Sequence, residues 1–200
     1  MRLNIGLVHR EVYIKAKILH RDINPENLMV KVDADGTYHP FLIDFDFAKH
    51  MDEDVAKGMD KDVFMNMDQD ASKGHINSHR TMSTPFLAVD LLCNPPPPTL
   101  YRHDLESFVW CLWWIAVSYL NGEQILTQAL QGWYNGNWVD LQNYKRGSLR
   151  AASVEVTPLT QNMKSAGPII KRLVEHFGTA YTETLDREII TWESFEACLD

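Results

Sequence analysis

The sequence predicts an α+β domain that is mainly α. Three observations carry this reading. Leu28 to Val32 and Tyr38 to Ile43 flank the turn Asp33-Ala34-Asp35-Gly36 and read as a β-hairpin, with Gly36 supplying positive φ. Phe108 to Leu120 is almost wholly apolar, and a helix apolar all round is a buried one. Gln161 to Phe177, interrupted by Gly167-Pro168, and Asp186 to Leu199 read as C-terminal helices, spanning 161–199. A chain of 200 residues suits one compact domain, and 45% hydrophobic with 23% charged residues is enough to bury a real core.

Taken in order, Leu3 to Ala16 carries apolar residues at Leu3, Leu7, Val8, Tyr13 and Ile14, a helical stripe. The hairpin follows. From Lys49 to Arg80 the chain is polar and methionine-dotted, with Asp52, Glu53, Asp54, Asp60, Asp62, Asp68 and Asp70 against a few lysines. It has no sustained period and reads as a long loop, either a solvated insertion or a regulatory or substrate-docking one. His75 and His79 have the i, i+4 spacing of helical metal ligands, but without a third ligand nearby they read as exposed histidines. Pro95 to Pro98 form a stiff, exposed connection. The apolar helix is expected over 103–121, with Asp104 favoured in its first turn by the dipole and Asn121-Gly122 as its stop. Gln124 to Leu130 looks helical, and Trp133 to Trp138 reads as a loop with aromatic anchors.

Charge and cysteines exclude several classes. A net charge of −8 and a pI near 5.4 argue against a nucleic-acid surface, which would be basic. Cys93, Cys111 and Cys198 are odd in number and widely spaced, as reduced intracellular thiols are. Met1 to Gly6 lacks the apolar core of a signal peptide, and the longest apolar run is too short for a bilayer span. The expected setting is intracellular, cytoplasmic or nuclear, with no membrane and no nucleic-acid partner. Oligomeric state stays open.

The chemistry sits between Ile18 and Asp46. His20-Arg21-Asp22 is followed five residues after the aspartate by Asn27, and seventeen further on by Asp44-Phe45-Asp46. The hairpin brings these residues to one edge. Phosphoryl transfer needs Mg²⁺ held against phosphates and a hydroxyl oriented in line. Asp22 would accept or orient the hydroxyl proton, while Asn27 and Asp44 offer the oxygens a hard cation prefers.

H-R-D-x-x-x-x-N followed by D-F resembles the catalytic loop and metal-binding signature of protein kinases. Arg80-Thr81-Met82-Ser83-Thr84-Pro85-Phe86-Leu87-Ala88-Val89-Asp90 is similar to the R-T-G-T-x-x-F-M-A-x-E end of the activation segment in the fungal-specific protein kinases, and His103-Asp104-Leu105-Glu106-Ser107 is typical of the same family. The resemblance implies a catalytic loop over 18–28 with His20, Arg21, Asp22 and Asn24, a metal-binding motif at 43–47 and an activation segment over 44–92. It implies ATP and Mg²⁺, with Asn27, Asp44 and Leu28 toward the cofactor and Asn27 and Asp44 on the metal. The substrate it implies is Ser/Thr of a protein. Ser83 falls where a threonine touches the catalytic aspartate, with Thr84 a substitute. Asp104 would hydrogen-bond the catalytic-loop backbone. Asp90 falls on a glutamate that pairs with a buried arginine, for which Arg146, Arg150 and Arg172 are candidates.

The resemblance covers the large C-terminal lobe of a kinase. The small lobe, with its glycine-rich loop, strand lysine and helix glutamate, is expected to be absent. Asn24 stands where many kinases carry a lysine on the γ-phosphate, and Asp46 replaces the glycine of D-F-G. Phosphate on Ser72, Ser78, Thr81 or Ser83 would find Arg21 as a partner. Two alternatives stay beside the kinase reading: a pseudokinase-like or truncated scaffold, and a small-molecule kinase of the D-F-D type.

Overall fold

A computed structural model describes residues 5–51, 84–93, 95–125, 133, 137–151, 159–182 and 190–200. Most of the insertion 49–80, with Ser72, His75, Ser78 and His79, lies outside the described residues, as do Thr81, Ser83 and the stretch 126–130.

The first described element is helix α1 (Ile5–Ala16). Strand β1 (Ile18–Leu19) follows and pairs antiparallel with β4 (Lys49–His50). Between them stands the hairpin of β2 (Leu28–Val32) and β3 (Tyr38–Leu42), in register from Leu28 opposite Leu42 to Val32 opposite Tyr38. Two 3₁₀ turns, Thr84–Phe86 and Val89–Leu92, lead to the long helix α2 (Tyr101–Ser118). A small hairpin of β5 (Tyr119–Leu120) and β6 (Glu123–Gln124) comes next, then α3 (Trp138–Ala151). A 3₁₀ stretch (Gln161–Ala166), α4 (Gly167–Thr182) and α5 (Trp192–Ala197) close the chain. The domain is mainly helical with small antiparallel sheets, an α+β fold.

Helix α2 is the centre. All its residues but Tyr101, Arg102, Leu112 and Ile115 are buried, and burying each large apolar side chain contributes about 1.5–3 kcal/mol. Trp110 stacks on Trp113 at 5.7 Å between centroids and meets the edge of Trp133 at 5.7 Å. Leu42 and Ile23 from the hairpin region, Leu149 from α3, Leu173 and Phe177 from α4 and Phe195 from α5 complete the same core.

Several boundaries differ from the sequence reading. The central helix runs over Tyr101–Ser118 instead of 103–121, because Asn121-Gly122 is a hairpin turn and not a helix stop. Both residues take left-handed φ, +55° and +84°, the geometry an Asn-Gly pair prefers between twisted strands. Gln124 is therefore in a strand, not a helix. Trp138 opens α3 instead of closing a loop, and Trp133 is buried in the core. Gly167-Pro168 starts α4, where proline's missing N–H has no partner to lose. Near the C-terminus the described helix is confined to Trp192–Ala197. Its Thr191 side chain accepts the Ser194 N–H as an N-cap.

Candidate active site

The site is built outward from a buried carboxylate. Asp104, in the first turn of α2, is 2% exposed. Its Oδ2 accepts the His20 backbone N–H at 2.8 Å, and its Oδ1 accepts that of Arg21 at 3.1 Å. The same Oδ2 accepts His9 Nε2–H from α1 at 2.9 Å. The His9 ring is sandwiched between Tyr101, stacked at 5.1 Å, and the edge of Phe108 at 5.4 Å. One charged acceptor at a helix N-terminus thus ties two helices to the loop after β1.

The His20 ring carries the link to the second half of the site. Its Nε2–H donates to the Ile43 carbonyl at 3.0 Å, and its Nδ1 accepts the Asp22 N–H at 3.3 Å. That pairing uses one nitrogen as donor and the other as acceptor, which only the neutral imidazole allows. Burial lowers the pKa of His20 and favours the same neutral form. Phe45 packs edge-on to the ring at 4.6 Å. Arg21 and Asp44 both adopt left-handed backbone, at φ +68° and +63°. Such strain at non-glycine residues clusters at functional sites.

Asp22, Asn24 and Asn27 form one hydrogen-bonded loop. Asn27 Nδ2 donates to the Asp22 carbonyl at 2.9 Å and to its Oδ2 at 3.1 Å. Asn24 Oδ1 accepts the N–H groups of Glu26 at 2.9 Å and Asn27 at 3.2 Å, while its Nδ2 donates to the Asp22 carbonyl at 3.3 Å. The Ile43 N–H donates to the Asn27 carbonyl at 3.1 Å, so the backbone of Asn27 stands across from Ile43, the residue before Asp44. Asp44 is exposed, its Oδ1 accepting the Asp46 N–H at 3.4 Å.

These residues fit Mg²⁺ in the kind of atom they present. With the Asn27 amide nitrogen engaged on Asp22, its side-chain oxygen takes no part in that contact, and Asp44 offers a carboxylate just past the end of the facing strand. Both are hard oxygen donors, and Mg²⁺ commonly takes only one or two protein ligands, with water and phosphate oxygens filling the rest. Among the described residues, no group of three or more His, Cys, Asp or Glu side chains could hold a metal ion without such help. Met29 and Phe41 form an exposed cross-strand pair on the hairpin. Leu28 turns to the other face, into an apolar cavity with Phe108, Leu112, Ile115 and Leu173.

Thr84 is half-buried at the start of the first 3₁₀ turn. Asp90, 2% exposed, pairs with Arg102 at 2.7 Å, and the His103 ring lies 3.7 Å from the same oxygen. The three arginines nominated from sequence are thus replaced by one on α2 itself. Arg146 reaches the Cys93 sulfur and Arg172 the Cys198 carbonyl instead.

The model of the fungal protein kinase family matches residues 7–116, more than half of the chain. The chain belongs to the fungal protein kinase family. No curated protein and no solved structure matches it. The matched residues of this fungal protein kinase chain hold the whole cluster from His9 to Asp104.

Sequence reasoning missed three residues of this fungal protein kinase chain. His9 is fully buried on Asp104, while Leu7 and Ile14 of the stripe expected to face the core are exposed. Glu106 is a carboxylate just before the apolar run of α2, and it is fully buried. It accepts Val89 N–H at 2.9 Å, Trp110 Nε1–H at 2.9 Å and the Tyr181 hydroxyl at 2.7 Å. Lys145 carries no signal in the sequence, because a lysine between polar neighbours has the chemistry of a solvated surface residue, and here it is fully buried. Among the described residues, no helix is long and apolar enough to cross a membrane.

Proposed function

We propose that this chain carries the large lobe of a protein kinase and moves the ATP γ-phosphate to Ser or Thr of a protein. The observation behind it is the Asn27–Asp22 pair: the amide nitrogen holds the carboxylate in place, and the amide oxygen takes no part in that contact. In this reading Asp22 orients the substrate hydroxyl and takes its proton. Asn27 and Asp44 hold Mg²⁺, which when bound neutralises charge on the phosphates. Met29 and Phe41 offer the nucleotide base an apolar platform. Residues 84–92 dock the peptide, and Asp104 keeps the loop 18–28 rigid.

Asn24 favours a second reading, a catalytically impaired, scaffold-like kinase. Both ends of its side chain are engaged within the loop, and it brings no positive charge to the transferring phosphoryl group.

Thermal unfolding with and without Mg-ATP, beside Asp44→Asn, tests the first reading. Nucleotide at 100 times its Kd stabilises by about 2.7 kcal/mol, roughly 5–11 °C for a chain of this size. A shift that Asp44→Asn removes, followed by phosphate transfer to a Ser/Thr peptide, supports it. No shift at millimolar Mg-ATP from a folded chain sinks it, and binding without transfer supports the scaffold.

A further inference from the structure

The stretch 84–92 holds two short 3₁₀ turns, Thr84–Phe86 and Val89–Leu92, and such short turns leave part of the backbone's hydrogen-bonding capacity unused. Side chains from elsewhere complete them. Lys145 of α3 is fully buried and its Nζ donates to the Leu87 carbonyl. The neighbouring Gln142 Nε2 donates to the Val89 carbonyl at 3.1 Å and to the Cys93 sulfur at 3.0 Å. From the other side, Glu106 of α2 accepts the Val89 N–H, and Arg102 holds Asp90.

A buried ammonium needs compensation. Here it lies 4.7 Å from the centre of the Trp110 ring and 5.6 Å from that of Trp133, within the field of Glu106. That is an internal aromatic cage, and it aims the amine at one carbonyl.

We propose that Lys145 and Gln142 are positioning residues for the stretch 84–92: clamping its backbone from α3, they set the shape in which it meets a peptide substrate. The clamp itself stands on the contacts above. Its consequence for peptide selection rests on the proposed function.

The polar and titratable groups around Lys145 are Glu106 and Cys111 on α2 and, through Glu106, Tyr181 on α4. Burial pushes the Cys111 thiol and the Tyr181 phenol well up. The same burial lowers Lys145 to about 7. Above that pH the closed clamp holds a neutral amine, whereas an opened and hydrated Lys145 stays protonated to about pH 10.4. Opening therefore takes up a proton and becomes about tenfold rarer per pH unit between about 7 and 10. Below 7 it takes up none, and the dependence ends.

The test is amide hydrogen exchange of the whole chain, corrected for intrinsic rates, at Leu87, Val89, Leu91 and Cys93, whose N–H groups are bonded in the clamped form. Lys145→Met and Gln142→Leu are each expected to speed these amides about five- to tenfold, the loss of roughly one hydrogen bond, while core amides of α2 keep their rates. Lys145→Met should also abolish the pH dependence. Gln142→Leu, on a half-buried side chain, answers the question if the lysine variant does not fold. Unchanged exchange, or an equal change through the whole chain, overturns the clamp. If the chain transfers phosphate, peptide KM should rise in both variants with kcat within about twofold, and an unchanged KM overturns the role in selection. A chain with no transfer at all defeats the proposed function and leaves the exchange result to decide the clamp.

Discussion

The Asp104 carboxylate accepts the His20 backbone N–H at 2.8 Å across 84 positions of sequence. The loop that carries Asp22 is therefore held by a helix whose first turn lies far along the chain, and not by its own hairpin alone. Removing the acceptor strands buried donors, each at about 1–3 kcal/mol.

Asp104→Ala should destabilise the fold by about 3–5 kcal/mol, because His9 Nε2, His20 N and Arg21 N all lose their partner. Asp104→Asn keeps one acceptor oxygen and should cost less. Urea unfolding of both variants measures this. A loss below about 0.5 kcal/mol for alanine would mean water replaces the carboxylate easily.

His20 gives the fold an acid limit. Its folded pKa is lowered by burial below the ordinary 6.5, so the unfolded chain binds the proton first as pH falls. The contribution from the neutral ring is fully present above about pH 6.5 and declines as pH drops below it. His20→Gln should flatten the fall in urea midpoint between about pH 6.5 and 5. An unchanged slope in that variant would point to other groups.

Arg102→Ala leaves Asp90 buried without its guanidinium, and breaking a buried pair by removing one partner costs about 3–5 kcal/mol. Arg150→Ala, on an exposed side chain, should stay within about 0.5 kcal/mol. Equal losses from the two substitutions would overturn the assignment of Arg102.

Glu106→Ala orphans three donors, from Val89, Trp110 and Tyr181. A loss of about 3 kcal/mol lowers Tm by roughly 6–12 °C. Glu106→Gln keeps one acceptor oxygen but turns an N–H₂ toward a donor, so it should fall between alanine and the parent chain. Calorimetry on the three proteins orders them, and any other order would show that the carboxylate is not the common acceptor.

What could be read from the residues alone was local or periodic. The hairpin between Asn27 and Asp44 was legible because Leu28 to Val32 and Tyr38 to Leu42 flank a turn whose Gly36 takes positive φ. The burial of most of Phe108 to Ser118 was legible because no exposed helix is apolar all round. Packing chose the rest. Arg102 pairs with Asp90, His9 reaches Asp104 and Lys145 caps Leu87, all through helices meeting at angles that no spacing rule encodes. Asn121-Gly122 suits a helix stop or a hairpin turn equally by composition, and the strand pairing of Tyr119–Leu120 with Glu123–Gln124 selects the turn. Side-chain chemistry names what a residue can bind, while its partner depends on which buried surfaces close together, a free energy that belongs to the whole core.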